Sequence, residues 1–311
     1  MRRPFFKSRS RLQTSGGSIN DYVGLVIAYR NHDLVGEVLA RLSAQTVLPR
    51  LVLVVDNGGT LTDAVLRDLI EADHPDFDGA PLGGRVQLIS LPDNPGYGAA
   101  VNAARPHLGE SALLVLTHDA VFGTRIAERL LTTLTSSPDD VGCAAPLLRF
   151  ASDPDRVFSA GGRLTAGGRA YHLSEPLSSE PYPVDWGDGA IAMYSAAALE
   201  HIGWLAEEYF LYFEDVDTGW RLRQAGLSSV IVPDEIAFQQ PGAHPMYLGI
   251  RNMTLFAKKA GIDAVRQFGS MLLRTGRESI GRLRRGRPLE LGAAWRGWRD
   301  GRAGRSGKPH G

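Results

Sequence analysis

Over the first 145 residues, short runs rich in Val, Ile and Leu alternate with segments of helical period, and this alternation leaves few possible folds. DYVGLVIAY (21–29) reads as a buried strand. A helix follows, with Asn31 or Asp33 at its cap and Leu34, Val35, Val38, Leu39 and Leu42 on one face. Pro49 interrupts the chain, and LVLVVD (51–56) is the second strand. The Asn57-Gly58-Gly59-Thr60 turn opens a second helical stretch with Ala64, Val65, Leu66, Leu69 and Ile70, and 72–84 reads as a polar loop. RVQLISL (85–91) is the third strand, and PDNPGYG leads into a helix over AAVNAARPH. SALLVLT (111–117) is the fourth strand, a helix fills 124–135, and VGCAAPLL (141–148) reads as a fifth strand. Strands and helices alternating in this way build a mostly parallel sheet covered on both faces.

In such sheets ligands bind beyond the carboxyl ends of the strands. The polar groups there are Tyr29-Arg30-Asn31, Asp56-Asn57, Asp93-Asn94 and Thr117-His118-Asp119. No G-x-x-x-x-G-K-[ST] loop is present and no G-x-G-x-x-G follows the first strand, which excludes P-loop ATPases and standard dinucleotide dehydrogenases. Past residue 150, Gly161-Gly162, Gly167-Gly168 and several prolines predict hairpins and loops in an α+β extension. Ala196 to Ile202 reads as a short helix, and FEDVDTGWRLRQAG (213–226) as a helix with an acidic start, closed by Gly226.

The formal net charge of zero is a cancellation. Residues 1–11 carry five Lys/Arg and no acid, and residues 265–311 carry twelve against three acids. Residues 12–264 hold 17 bases against 31 acids, so an acidic body with basic ends is expected. FGSMLLRTGRESIGRLRRGR (268–287) sets Phe268, Met271, Leu272, Ile280 and Leu283 among arginines. Two readings stand: a basic amphipathic helix on an anionic membrane surface, or a helix packed on the body and followed by a solvated tail. The final GRAGRSGKPHG reads as disordered. Nucleic acid is not an expected partner, because no aromatic-interleaved basic patch accompanies the arginines. No run reaches the roughly 18 apolar residues of a spanning helix, and the basic start lacks the apolar core of a secretory signal. The single cysteine, Cys143, allows no internal disulfide. The expected location is cytoplasmic, at the inner face of the plasma membrane under the first reading of the tail.

Four blocks then carry a resemblance: VGLVIAYRNHDLVGEVLARLSAQT, LVLVVDNGGT, NPGYGAAVNAA and FLYFEDVDTGWRLRQAG, in that order. Over roughly residues 21–260 the chain resembles the inverting, family 2 nucleotide-sugar glycosyltransferases, in texture most like rhamnosyltransferase-like members from polysaccharide assembly. The resemblance implies an α/β, GT-A fold: a mostly parallel Rossmann-like sheet flanked by helices, with an α+β acceptor-side extension and a basic C-terminal helical tail. The implied division is a basic disordered N-terminus (1–19), a glycosyltransferase domain (20–264) and a basic C-terminal helix and tail (265–311). Within the domain, 20–150 would bind nucleotide and 151–264 the acceptor.

The family's roles carry over where residues match. Asp56 is implied at the nucleotide base with Tyr29 near it, and Asn94 and Gly96 near the nucleotide and its diphosphate. The family's Asp-x-Asp after the fourth strand is here Thr117-His118-Asp119, so Asp119 is the implied ligand of Mg²⁺ or Mn²⁺. The lost first acid leaves open whether His118 reaches the nucleotide sugar or faces the sheet or solvent. Where the family commonly has a histidine before an Arg-Asn pair, this chain has Gln239 or Gln240, with His244 just beyond. The second metal or diphosphate contact is therefore His244 or an amide. Asp215 is the implied general base, with Glu214 beside it, and the crowding of Glu214, Asp215 and Asp217 favours one raised pKa. Asp217 reads as a helix-start acid paired with Arg221 or Arg223. Trp186 and Asp188 read as sugar or acceptor contacts, with a buried core Trp as the alternative.

The function implied is transfer of a sugar, rhamnose first, from a dTDP- or UDP-linked donor to a saccharide, glycolipid or natural-product acceptor. The alternative is a degenerate, non-catalytic member that binds nucleotide sugar or membrane. The shortened Asp-x-Asp favours that alternative and the intact FEDVD block opposes it.

Overall fold

The computed structural model describes residues 21–72, 82–136, 140–242 and 244–309. The N-terminal stretch 1–19 and most of the 72–84 loop lie outside the described residues. The first half contains β1 (Tyr22–Ala28), α1 (His32–Ser43), β2 (Leu51–Asp56), α2 (Asp63–Glu71), β3 (Val86–Ser90), α3 (Tyr97–Asn102), α4 (Arg105–Leu108) and β4 (Ala112–Thr117). β1 pairs in parallel with β2 and β4, and β2 with β3. All seven residues of β1 are buried because helices cover both faces. Its side chains alternate between two cores. Tyr22, Val26 and Ala28 join Val35, Val38, Leu39 and Leu42 of α1, while Val23, Leu25 and Ile27 join Ala100 and Val101 of α3.

Local chemistry differs from expectation in three places. Asn31 stands before α1, but its side chain makes no capping bond. Thr62, rather than the 57–60 turn, caps α2 by accepting from the Val65 N–H at 3.3 Å. The single helix expected over AAVNAARPH is split into α3 and α4, because Pro106 lacks the N–H that would continue the ladder and sits in the first turn of α4 instead.

The second half contains β5 (Val121–Phe122), α5 (Ile126–Ser136), β6 (Val141–Phe150), β7 (Asp153–Ser159), β8 (Gly162–Leu164), β9 (Ala170–His172), β10 (Tyr182–Val184) and β11 (Ile191–Tyr194). It continues with α6 (Ala196–Ile202), α7 (Glu214–Gln224), β12 (Ser228–Gln239), α8 (Met246–Lys259), α9 (Ala264–Arg284) and α10 (Leu291–Arg302). The main path through the sheet is β10-β12-β6-β11-β4-β1-β2-β3. The fifth expected strand, β6, does not lie beside β4: β11 enters between them, antiparallel to both. β12 then pairs in parallel with β6, so one sheet runs through both halves of the chain.

α9 packs on the body through Gln267, Met271 and Thr275. α10 lies close against α8: a Cβ at Gly297 would stand 2.5 Å from the Tyr247 carbonyl oxygen. The expectation of a disordered final stretch is corrected through residue 309. The Gly307 N–H donates to the Glu208 carbonyl at 2.7 Å, and the Gly307 carbonyl accepts from buried Arg251 at 2.8 Å. Lys308 donates to the Asp93 carbonyl at 2.8 Å. A buried guanidinium needs acceptors, and the tail backbone supplies one. Among the described residues, no helix is long and apolar enough to cross a membrane.

Candidate active site

The carboxyl ends of β1, β2 and β4 open on a cavity of about 920 Å³ that the second half of the chain also lines. Tyr29, Asn94, Gly96, His118 and Asp119 line it from the first half, and Trp186, Asp188, Glu214, Asp215 and His244 from the second. Asp56 does not line it. Its carboxylate is fully buried behind the wall, where one oxygen accepts from the Leu61 N–H at 2.6 Å and the other has no partner among the described residues. Asn57 takes the lining position, and its own buried side-chain oxygen is also unpartnered.

The Tyr29 ring lies under the Arg30 guanidinium, 4.8 Å from it. His118 turns back toward the sheet, with Nδ1 3.2 Å from the Ile27 carbonyl. Asp119 makes no hydrogen bond or ion pair among the described residues, leaving a carboxylate free on the cavity wall. From the second half of the chain, the His244 ring lies over Tyr212 with centroids 4.1 Å apart. Gln240 is committed elsewhere, accepting from the Ser152 N–H at 3.2 Å, whereas the buried Gln239 Oε1 lines the cavity without a partner. Among the described residues, no cluster of three or more His, Cys, Asp or Glu is poised to hold a metal ion.

The acidic end of the site is set by an unusual turn. Phe210, Tyr212 and Phe213 adopt left-handed φ values of 66°, 71° and 81°, a conformation that costs aromatic residues about 1–3 kcal/mol each. Two neighbours on α8 hold it. The Asn252 side-chain N–H group donates to the carbonyls of Tyr209, Leu211 and Tyr212 at 3.0, 2.8 and 2.8 Å. Arg251 donates to the Tyr209 carbonyl at 2.8 Å. From the other side the Tyr97 N–H donates to the Phe210 carbonyl at 2.7 Å. Gly96, at φ 108°, lets the backbones approach, since a Cβ there would stand 2.3 Å from that carbonyl oxygen. Two motifs far apart in sequence thus lock together. The sequence reading used Arg251-Asn252 only as a landmark; two polar residues on the buried face of an amphipathic helix were the available signal.

This turn delivers Glu214 and Asp215 into the cavity at the start of α7. Asp215 accepts from the Val216 N–H at 2.7 Å and the Gly189 N–H at 3.4 Å, while the Tyr97 hydroxyl donates to the Gly189 carbonyl. Glu214 keeps one buried oxygen without a partner. Burial, followed by the charge of Asp215, pushes Glu214 well above the usual carboxylate range. Burial, followed by the charge of Asp188, pushes Asp215 up as well. The two acids titrate as a unit. Asp217 faces away, fully buried, paired with Arg221 at 2.6 Å and Lys259 at 3.0 Å. Arg223 instead pairs with Asp185 at 2.7 Å.

Beside the acids stand aromatic groups that the sequence did not bring together. Buried Trp186 leaves its indole N–H unpartnered, and its ring meets His172 edge-on at 4.8 Å. Phe158 lies on the other side of His172, also at 4.8 Å. The His172 Nε2 is 3.9 Å from Asp188, and burial lowers the pKa of this imidazole. These residues come from β7, β9 and the loop before β11, so no local spacing announces them.

Comparison with known proteins places the chain in a family and shows its fold. A family model described as "Glycosyltransferase like family 2" matches residues 21–257. The "N-acetylglucosaminyl-diphospho-decaprenol L-rhamnosyltransferase" of two Mycobacterium tuberculosis strains, CDC 1551 / Oshkosh and H37Rv, is 31% identical over 229 residues, covering 63% of this chain and 68% of the relative. Among solved structures, GalNAc-T7 with UDP, GalNAc and Mn²⁺ superposes with a TM-score of 0.58 at 11% identity, covering 76% of this chain and 47% of that one. The chain therefore spans about half the length of that enzyme. The mannosyltransferase PcManGT from Pyrobaculum calidifontis, in complex with GDP-Man and Mn²⁺, gives a TM-score of 0.52 at 19% identity, covering 78% of this chain and 64% of that one. These structural likenesses show a GT-A fold.

Proposed function

The chain belongs to the family 2 glycosyltransferases, and on that premise we propose that it transfers a deoxyhexose, rhamnose first, from a nucleoside diphosphate (dTDP or UDP) to a diphosphate-linked lipid saccharide, with inversion. The acceptor class is taken from the mycobacterial relative's activity. The observation that carries the reading is that Asp215 and Asp119, from the two halves of the chain, line one cavity.

In this reading residues 20–150 hold the donor and 151–264 the acceptor. The Tyr29 ring and the free side-chain oxygen of Asn57 receive the nucleoside, with Asp56 behind them, and Asn94 and Gly96 flank the diphosphate. Asp119, which has no protein partner among the described residues, is the carboxylate that would hold a divalent ion, with Gln239 and His244 in the same cavity lining. Mg²⁺ or Mn²⁺ commonly takes one or two protein oxygens and completes its shell with substrate phosphates and water. When bound, such an ion neutralises charge developing on the leaving diphosphate.

Asp215 takes the proton from the acceptor hydroxyl as that oxygen attacks the anomeric carbon, and the bond to the diphosphate breaks on the opposite face. The Val216 and Gly189 N–H groups fix its orientation. Asp188 offers an oxygen to the sugars, while the Trp186 ring is packed in the core beneath it. Asp215→Asn tests the assignment: turnover falls about 10²–10⁴-fold while nucleotide affinity is kept. Turnover within a few-fold of the parent overturns it.

A further inference from the structure

The cavity has a third side, built by α9, which lies beyond the family-matched residues 21–257. Arg274, Arg277 and Glu278 line it from α9, and Arg169 lines it from the turn between β8 and β9. Arg274 is held in place by Glu278 at 3.0 Å and the Gly249 carbonyl at 3.1 Å. Arg277 makes no hydrogen bond or ion pair among the described residues. Arg169 lies over the Tyr171 ring at 5.1 Å, and its guanidinium pairs with no carboxylate among them.

The rest of α9 extends the pattern. At about 100° per residue, Val265, Leu272, Leu273, Ile280 and Leu283 share the face opposite the buried Gln267, Met271 and Thr275. Each of those five apolar residues is at least 53% exposed. Arg266, Arg277 and Arg284 run along one edge of this stripe, between it and the cavity side. The cavity lining thus holds carboxylates, aromatic rings and arginines, and the same helix that supplies two of the arginines carries exposed hydrocarbon on its outer face. These groups suit the parts of a molecule that joins a sugar, two phosphates and a lipid tail.

We propose that Arg169, Arg274 and Arg277 grip the diphosphate of the lipid-linked acceptor while the exposed face of α9 carries its hydrocarbon at the membrane surface. This rests on the acceptor reading above and adds to it the residues that recognise the acceptor. Planar guanidinium groups suit phosphate oxygens, and an arginine-edged apolar helix face suits the headgroup boundary of a bilayer.

The test uses the full chain saturated with dTDP or UDP, so that the donor end is filled. It is titrated by calorimetry with farnesyl diphosphate and with inorganic pyrophosphate. Farnesyl diphosphate is expected to bind more tightly than pyrophosphate. Arg169→Gln with Arg277→Gln should weaken both by about tenfold or more. Leu273→Ser with Ile280→Ser, both at exposed positions, should bring farnesyl diphosphate down to the affinity of pyrophosphate and leave pyrophosphate unchanged. Equal affinities in the parent and the double-arginine variant overturn the proposal. So does binding to phosphatidylglycerol vesicles without binding to farnesyl diphosphate, since that would be a plain electrostatic surface. Nucleotide affinity and donor hydrolysis of the parent, measured separately, report on the glycosyltransfer reading alone.

Discussion

The side-chain amide of Asn252 donates to the carbonyl of Tyr212 at 2.8 Å while Tyr212 sits at a left-handed φ of 71°. The same amide holds the Tyr209 and Leu211 carbonyls, so one buried side chain on α8 fixes the turn that aims Glu214 and Asp215. Nothing in the local sequence of that turn favours its shape; its aromatic residues oppose it.

Asn252→Ala removes the donor and leaves buried carbonyls without partners. A loss of about 2–4 kcal/mol in urea denaturation is expected. In the folded fraction, turnover should fall more than nucleotide affinity, because the displaced groups are Glu214 and Asp215. Equal losses in both parameters would place Asn252 in general stability alone.

The raised pKa values of Glu214 and Asp215 give opposite signs for activity and stability. A base must be unprotonated, so turnover should rise with pH, with a midpoint well above the ordinary carboxylate value of about 4. Folding binds protons at this pair, so its contribution to stability is full below the unfolded carboxylate range and lost as pH rises through the raised values. Asp188→Asn removes the like charge beside Asp215 and should move the activity midpoint down. A midpoint near 4, unmoved by this substitution, would contradict the coupling.

Asp119 lines the cavity with no protein partner among the described residues. Titrating dTDP, UDP and GDP with and without Mn²⁺ should show one nucleotide whose binding strengthens with the ion. Asp119→Ala should abolish that dependence while leaving the weak ion-free affinity. Metal-independent binding, the same in parent and variant, would remove the ion from the donor site.

Asp217 gives the control for the acidic block. It is fully buried against Arg221 and Lys259, and Asp217→Asn leaves those cations facing a neutral amide. A loss of about 3–5 kcal/mol is expected, with turnover per folded molecule close to the parent. Asp215→Asn should do the reverse, since it relieves a crowded, desolvated charge. Thermal and urea melts of the two variants, measured beside turnover, distinguish the roles.

Much of the first half of the chain is legible from sequence because it is written locally. The strands β1 to β4 are apolar runs bounded by turn residues, and their polar ends fall at fixed places beyond the sheet. The second half is less so. β12 hides its strand character behind Pro233, Asp234 and Glu235, where its pairing with β6 shifts register between Val232 and Ile236. β11 is four residues long and gains its position only by fitting between β4 and β6. The burial of Asp56, the pairing of Asp217 with Lys259 and the docking of the tail at Gly307 all depend on partners distant in the chain.

What the sequence by itself determined is the alternation that makes a covered parallel sheet, the polar residues at its strand ends, and the acidic block that marks the family. Periodicity and motif are local properties, and they survive in the linear text. Only the tertiary structure decided which carboxylates face the cavity, which lie behind it, and that α9 closes its third side with arginines. Those choices depend on desolvation and on partners brought near by folding, and neither is a property of any short stretch of chain.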